Sequence, residues 1–189
     1  MVDCERSVKM NKAYLLTGEP RIGKTTALKQ VVDSLGTQHC GGFYTQEMCA
    51  AGQRYGFRVV VLDGPVGTLA DMAYTNFPLK VGKYGVVLRF LEDIALAAVS
   101  QALVSKRFVI IDEIGPIQLC SPLFQRVVND VLTSSVPLIG TISSDSGSDP
   151  WLDELKHQSD VELFPLTYQN RDEVPRMLVE TLKNLNKDI

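Results

Sequence analysis

The sequence is poor in the residues that build metal centres and disulfide frameworks. It has two histidines and four cysteines (Cys4, Cys40, Cys49 and Cys120), and no two cysteines have the C-x-x-C spacing. A structural zinc site needs four close ligands, mostly cysteine and histidine, so this pattern argues against one. We expect reduced thiols and a cytoplasmic protein, because disulfides persist mainly in oxidising compartments.

Long apolar runs and clusters of positive charge are also missing. No apolar run approaches the roughly 20 residues that a membrane-spanning helix needs, so we predict no membrane partner. Residues 1–12 are polar and charged and lack the apolar stretch of a secretory signal. We expect residues 1–11 to be a flexible N-terminal extension. The net charge of −3 and the lack of a Lys/Arg run argue against a nucleic-acid partner.

The chain has a size and composition that suit one compact α/β domain. It has 189 residues, of which 45% are hydrophobic, and we expect a monomer. Apolar runs with strand character alternate with longer runs of helical spacing, which favours a mainly parallel sheet with helices on both faces. Short β-forming runs at residues 42–45, 55–62 and 68–74, separated by turn residues, predict a β-rich insertion at about residues 42–87. The other predicted strands cover residues 13–16, 107–111, 137–142 and 161–164, and the predicted helices cover 25–35, 89–106, the segment after Pro122, 151–156 and 171–185.

Residues 18–25 read Gly-Glu-Pro-Arg-Ile-Gly-Lys-Thr, which is the phosphate-binding P-loop pattern G-x-x-x-x-G-K-[ST]. Gly18 and Gly23 allow backbone conformations and close phosphate approach that a Cβ would block. Lys24 is predicted to reach the β- and γ-phosphates in a catalytic role, and the Thr25 hydroxyl to bind Mg²⁺. A predicted strand before the loop and a helix after it give the motif its required context. The predicted nucleotide-binding residues are Gly18, Glu19, Pro20, Arg21, Ile22, Gly23, Lys24, Thr25 and Thr26.

A second acidic motif completes the predicted site. Residues 108–113 read Phe-Val-Ile-Ile-Asp-Glu, an apolar strand that ends in two carboxylates, as in a Walker B motif. Asp112 is predicted to hold Mg²⁺ and Glu113 to orient or deprotonate the attacking water. Phosphoryl transfer to water uses both, because the metal neutralises charge and the base aligns the nucleophile.

The glutamate next to the Walker B aspartate resembles the RecA-like and AAA-type branch of P-loop NTPases. In that branch a later strand lies between the P-loop strand and the Walker B strand. Residues 137–142 would be that strand here, and we expect Thr141, Ser143 and Ser144 at its end to face the γ-phosphate. The predicted fold is therefore a RecA-like P-loop NTPase with a β-rich insertion, and residues 1–189 form a single P-loop NTPase domain.

Beyond the two Walker elements, five motifs occur in a characteristic order, at residues 41–45, 54–57, 81–86, 112–119 and 170–173. In this order they resemble one family of this class, the nucleoside-triphosphatases found from hyperthermophilic microbes to humans, where the member is called the cancer-related nucleoside-triphosphatase. The resemblance covers roughly residues 12–175. It implies Mg²⁺-dependent hydrolysis of ATP, GTP and other NTPs, CTP and UTP included, to NDP and phosphate, with broad base tolerance. Two departures are Arg21, where the family more often has glycine, and Ser143-Ser144-Asp145, where basic residues are frequent.

Fast hydrolysis in P-loop enzymes usually needs one more positive charge, often an arginine finger, beside the γ-phosphate. The candidates are Lys83, Arg21, Arg54 and Arg171. Lys83 is our predicted catalytic residue among them, because Gly82 and Gly85 on either side suit a mobile loop that reaches the phosphates.

Two other functions share the P-loop. A nucleotide or small-molecule kinase would use the insertion as an acceptor pocket, although the sequence has no Arg-rich cluster of the kind that covers the donor in kinases. A nucleotide-dependent switch would bind a protein or RNA partner and reset by slow hydrolysis, and the acidic composition counts against RNA. Phosphate release without an acceptor distinguishes hydrolysis from the kinase alternative.

Overall fold

The computed structural model describes residues 13–144 and 149–185. The predicted N-terminal extension, residues 1–11, and Asp145 of the polar loop lie outside these ranges. Within them, no helix combines the length and the apolar character needed to cross a membrane.

The described strands form one nine-stranded sheet, in the order β5-β6-β4-β3-β2-β7-β8-β1-β9. Five neighbouring strands, from β2 to β9 in that order, are paired in parallel. The strands of the predicted insertion pair antiparallel with one another beyond β2. The strands are β1 (Ala13–Thr17), β2 (Cys40–Ala50), β3 (Gln53–Val61), β4 (Val66–Asp71), β5 (Lys80–Val81), β6 (Tyr84–Val86), β7 (Phe108–Ile114), β8 (Leu138–Ile142) and β9 (Val161–Pro165).

Helices cover both faces of the parallel strands. The alternation in β1 shows why: Ala13 and Leu15 belong to one apolar layer, while Tyr14 and Leu16 belong to the layer on the other face. The first layer includes residues of α2, α3 and α4, and the second includes residues of α1 and α5. The helices are α1 (Lys24–Leu35), α2 (Leu96–Ser105, preceded by a π-helical turn at Leu91–Ala95), α3 (Pro122–Thr133), α4 (Pro150–His157) and α5 (Val174–Leu185).

Strand β2 joins the parallel sheet to the insertion. Its first residues pair in parallel with β7, ending at Phe43 opposite Ile111. The rest of β2 continues past β7 and pairs antiparallel with β3 as far as Ala50 opposite Gln53. The β2–β3 hairpin therefore extends beyond the carboxyl ends of the parallel strands. Ligands of open α/β sheets bind at that edge.

The structure confirms the predicted fold, including the position of β8 between β1 and β7. Some element bounds differ from the prediction. Strand β2 runs to Ala50, whereas the β-forming run at residues 42–45 predicted an end near residue 45. Pairing with β3 keeps the less β-prone residues 46–50 extended. The last helix begins at Val174 rather than Arg171, since residues 168–173 form turns.

Candidate active site

The P-loop connects β1 to α1 and depends on glycine at two positions. Gly18 has φ 147°, and a Cβ there would lie 2.7 Å from the carbonyl oxygen of Leu166, so the loop after β9 packs directly against it. Gly23 has φ 109° and precedes the first helical residue, Lys24. Both φ values fall in the region that L side chains rarely adopt. The loop can therefore close tightly over the N-terminus of α1, where helix dipoles favour anions.

An open cleft of about 940 Å³ lies at the carboxyl ends of the parallel strands. Seven of the nine predicted nucleotide-binding residues line it. Gly18 and Ile22 do not: Gly18 supports the loop, and the Ile22 side chain is buried in the layer below, with its N–H 3.2 Å from the carbonyl oxygen of Glu19. The lining residues are Glu19, Pro20, Arg21, Gly23, Lys24, Thr25, Thr26, Lys29, Thr45, Gln46, Glu47, Arg54, Phe57, Asp112, Glu113, Ser143 and Ser144.

Asp112 lies at the floor of the cleft and is fully buried. Its Oδ2 atom accepts hydrogen bonds from the Thr25 hydroxyl at 2.9 Å and from the Thr45 N–H at 3.2 Å. Its Oδ1 atom accepts one from the Thr141 hydroxyl at 2.5 Å. Burial raises the pKa of Asp112, while these hydrogen bonds and the charge of Lys24 act in the opposite direction. The two residues predicted to hold Mg²⁺, Thr25 and Asp112, are thus in direct contact.

Glu113 follows Asp112 and reaches further into the cleft. Its Oε1 atom lies 3.7 Å from the Lys24 ammonium nitrogen, which also donates to the carbonyl oxygen of Gly18 at 2.9 Å. Burial raises the pKa of Glu113, whereas the charges of Lys24 and Arg54 lower it. A carboxylate with a raised pKa is a stronger base than an exposed one, which suits the predicted role of accepting a proton from water.

The expected role of Thr141 needs a correction. Its side chain is fully buried and donates to Asp112, so it supports the carboxylate from below instead of facing the γ-phosphate. Ser143 and Ser144 do line the cleft, as expected of residues just beyond the end of β8.

Two polar residues of the site were missed in the sequence. The Thr45 hydroxyl donates to the backbone oxygen of Asp112 at 2.6 Å, and the buried Gln118 amide donates to that hydroxyl at 3.1 Å. Both residues stand in motifs that mark the family resemblance, but nothing in the sequence links them to the carboxylate. Together they fix the orientation of the end of β7.

The structure does not bring Lys83 into the cleft. Lys83 lies in the turn between β5 and β6, where Gly82 has φ 56°, and its ammonium nitrogen is 5.5 Å from the centre of the Tyr84 ring. Arg171 lies after β9 beside the Tyr168 ring and is also absent from the lining. Of the four candidates for an extra positive charge, Arg21 and Arg54 line the cleft. Lys83 directly precedes Tyr84 in this turn, and its side chain lies beside that ring rather than in the lining of the cleft.

Comparison with known proteins identifies the class of this site. A family model described as NTPase matches residues 13–179. The chain belongs to this NTPase family. It is 39% identical over 169 residues to the nucleoside-triphosphatase THEP1 of Thermotoga sp. (strain RQ2), which covers 89% of this chain and 94% of the relative.

Two solved structures resemble this NTPase along nearly the whole chain. The crystal structure of THEP1 from the hyperthermophile Aquifex aeolicus has a TM-score of 0.81 and 29% identity, and covers 90% of this chain and 99% of that one. The solution structure of a human cancer-related nucleoside triphosphatase has a TM-score of 0.78 and 32% identity, and covers 92% of this chain and 98% of that one. The resemblance stated from the sequence motifs is confirmed, and this NTPase is an enzyme.

Proposed function

We propose that this NTPase hydrolyses ATP, GTP, CTP and UTP to the nucleoside diphosphate and phosphate, with Mg²⁺ as its metal ion. The observation that carries the proposal is the placement of Glu113 in the cleft, 3.7 Å from the P-loop lysine and next to the Thr25–Asp112 pair. This arrangement provides a base, a phosphate-binding cation and a metal-binding pair within one cleft. Relatives named nucleoside-triphosphatases support the reaction class.

The donor set at the floor of the cleft fits Mg²⁺. Thr25 offers a hydroxyl oxygen and Asp112 a carboxylate oxygen, and Mg²⁺ binds such hard oxygen ligands through few protein groups plus substrate phosphates. When bound, the ion would neutralise charge on the β- and γ-phosphates. Lys24 and the P-loop N–H groups would hold those phosphates in place.

The step at the γ-phosphorus needs one proton acceptor. The oxygen of a water molecule forms the new bond to phosphorus, and the bond between phosphorus and the β–γ bridging oxygen breaks. The bridging oxygen leaves with the nucleoside diphosphate. Glu113 takes the water proton and later releases it to solvent or phosphate. The support for this role is its position one residue beyond the metal-binding Asp112, at the end of β7.

Broad base tolerance and a monomeric, cytoplasmic protein complete the proposal. Tolerance of the base follows from the family resemblance. A reducing compartment agrees with the free thiols of Cys40, Cys49 and Cys120, and a net charge of −3 gives no support to a nucleic-acid partner.

The first prediction tests the proposal with phosphate release from the four NTPs, with and without Mg²⁺ and with no acceptor present. We expect the wild type to release phosphate from each NTP only with Mg²⁺. Glu113→Gln should bind nucleotide but lose about 100-fold or more in kcat, because a general base typically contributes about 10²- to 10⁴-fold. Glu154→Gln, which removes an exposed carboxylate on α4, is the control and should match the wild type.

Two outcomes would contradict the proposal. Normal turnover in Glu113→Gln would remove this residue as the base. Nucleotide binding by the wild type with no phosphate release would favour phosphotransfer to an acceptor, or a switch, over hydrolysis.

A further inference from the structure

The β-rich insertion contributes a cation to the cleft. Five residues of the predicted insertion line it, and among these Arg54, on β3, is the positively charged one. The remaining lining residues come from the P-loop, α1 and the ends of β7 and β8. The insertion therefore adds a wall to a site whose other parts are explained by the two Walker motifs.

The Arg54 guanidinium is held from several sides. Its Nε donates to the Tyr84 hydroxyl at 3.1 Å, and a terminal nitrogen donates to the Glu47 carboxylate. The centre of the guanidinium lies 4.8 Å from the centre of the Phe57 ring and 5.8 Å from that of Tyr84. These partners come from β2, β3 and β6, three strands of one sheet. Such contacts fix a flexible side chain in advance, which is what electrostatic catalysis requires.

Arg54, Lys24 and Glu113 line the same cleft. The Lys24 ammonium nitrogen lies 3.7 Å from Glu113 Oε1, and Arg54 adds a second positive charge to the cleft from the insertion. Since Glu113 is proposed to hold the attacking water beside the γ-phosphate, a cation in the wall of this cleft faces the region where charge develops.

The other cations near the cleft are less well placed for this task. Lys29 has its ammonium nitrogen 3.9 Å from the centre of the Tyr44 ring, and Lys83 lies outside the lining. Arg21 lines the cleft but is an exposed residue of the P-loop with φ 67°. Arg54 combines a place in the lining with contacts that restrain its head group.

We propose that Arg54 is a catalytic residue, an arginine finger supplied by the enzyme's own β-rich insertion, whose guanidinium contacts the γ-phosphate in the transition state. The proposal rests on the hydrolysis proposed above and leaves its proton and bond changes as they are. Arg54 adds charge neutralisation to oxygens of the transferring group. Glu47 and Tyr84 are positioning residues in this proposal, because their hydrogen bonds hold the guanidinium.

The second prediction compares Arg54→Ala with Arg58→Ala. Arg58 lies on the same strand, is exposed and pairs with Gln46 at 2.9 and 3.0 Å, but does not line the cleft. We expect Arg54→Ala to lower kcat about 100- to 1,000-fold, the usual cost of removing one preorganised donor, and to change the affinity for a non-hydrolysable ATP analogue by less than about threefold. Arg58→Ala should keep wild-type values for both.

A transition-state analogue gives a readout that a purely structural role would not move. We expect Arg54→Ala to lose roughly the same factor in affinity for ADP with aluminium fluoride and Mg²⁺, while binding ADP as the wild type does. Free guanidinium added to Arg54→Ala should restore part of kcat, but should not raise that of Arg58→Ala. Arg54→Lys should recover little, because lysine lacks the planar donor set.

Positioning by Glu47 and Tyr84 is tested in the same assay. Glu47→Gln and Tyr84→Phe should each lower kcat less than Arg54→Ala does. Combining either with Arg54→Ala should cause little further loss, because both act through the guanidinium.

The outcomes separate this inference from the proposed function. Hydrolysis by Arg54→Ala at the wild-type rate would overturn the finger and leave the hydrolase intact. Absence of hydrolysis in the wild type would overturn the proposed function itself. If Arg54→Ala also lost ADP binding, the activity of Arg54→Lys and the rescue of Arg54→Ala by guanidinium would decide whether Arg54 is catalytic. Full activity of Arg54→Lys together with no rescue by guanidinium would overturn the catalytic role.

Discussion

At the scale of single residues, Asp112 is held firmly in place by its surroundings. It is a fully buried carboxylate, and its two oxygens receive hydrogen bonds from two hydroxyl groups and one backbone N–H. Burying a charged group costs free energy unless such partners compensate. The three donors therefore stabilise both the fold and one orientation of the carboxylate, which is the group proposed to hold Mg²⁺.

The third prediction concerns Thr141→Val, which removes one of these donors with little change in side-chain shape. We expect the free energy of unfolding to fall by about 1.5–3 kcal/mol, the usual worth of a hydrogen bond to a charged group. The Mg²⁺ concentration needed for half-maximal hydrolysis should rise about 10-fold or more, because residues that support a ligand affect metal affinity. Urea unfolding and Mg²⁺ titration measure the two effects.

Thr141→Ser is the matched variant for that experiment. It keeps the hydroxyl and should stay closer to the wild type in Mg²⁺ dependence than Thr141→Val does. Equal Mg²⁺ dependence in all three proteins would mean that the hydroxyl of Thr141 does not support Asp112 in function.

The sequence predicted the site residues that belong to recognised motifs, and missed those whose place in the site depends only on the fold. Lys24 and Thr25 belong to one short pattern, and so do Asp112 and Glu113. Thr45 and Gln118 meet Asp112 and each other only because β2 lies beside β7. A single sequence carries no signal for that proximity, since either residue alone is an ordinary polar residue.

At the scale of elements, the β5–β6 hairpin contacts two candidates for the extra positive charge, Lys83 and Arg54. The sequence pointed to Lys83, on the grounds that its glycine neighbours suit a mobile loop. In the structure the hairpin contains strands of two and three residues, and Lys83 lies beside the Tyr84 ring. The same tyrosine holds Arg54 through its hydroxyl. The hairpin therefore contributes to the cleft through Tyr84.

The fourth prediction is that Lys83→Ala keeps kcat within about threefold of the wild type, a change of about 0.7 kcal/mol or less in the activation barrier, because Lys83 does not line the cleft. Its KM for ATP should also change little. The measurement is steady-state hydrolysis beside Arg54→Ala. A loss of 100-fold or more in kcat with unchanged nucleotide affinity would restore the sequence-based assignment of Lys83 as the catalytic cation.

Element bounds show where sequence patterns stop being informative. Strands β1, β8 and β9 were predicted within one residue. Strands β1 and β8 are buried apolar runs between polar segments, and β9 is a half-buried edge strand whose Val161, Leu163 and Phe164 gave the signal. Strand β2 was predicted too short, since beyond Thr45 its residues are polar or only weakly β-forming. Its length is set by its antiparallel partner β3, a contact that the local sequence does not contain.

At the scale of the whole molecule, ligand binding and folding are linked through the cleft. The P-loop, the end of β7 and the β2–β3 hairpin all contribute lining residues, and all belong to one sheet or its connections. A ligand that contacts them together binds the folded chain and not the unfolded one. Binding must therefore stabilise the entire fold by mass action.

The fifth prediction is a thermal shift with a non-hydrolysable ATP analogue and Mg²⁺. At a free concentration of 100 Kd, binding adds about 2.7 kcal/mol to the free energy of unfolding. For a domain of this size, that corresponds to a rise in Tm of roughly 5–11 °C. Lys24→Ala should show a much smaller rise at the same concentration, because the lysine supplies much of the attraction for phosphate.

The control for the thermal shift is Lys183→Ala, a change to an exposed lysine on α5 far along the chain from the site. The Tm of Lys183→Ala should rise with the analogue by as much as the Tm of the wild type. An equal rise in Lys24→Ala and the wild type would show that the analogue does not bind through the P-loop.

The insertion also determines which strands lie at the edges of the sheet. With it, the edges are β5, which has two residues, and β9, which ends at Pro165. Short strands and prolines at an edge hinder pairing with another chain. A chain shortened to the parallel core would instead expose one whole side of β2, with its unpaired N–H and C=O groups. The segment that carries Arg54 thus also protects the protein against edge-to-edge aggregation, so losing it would reduce solubility as well as rate.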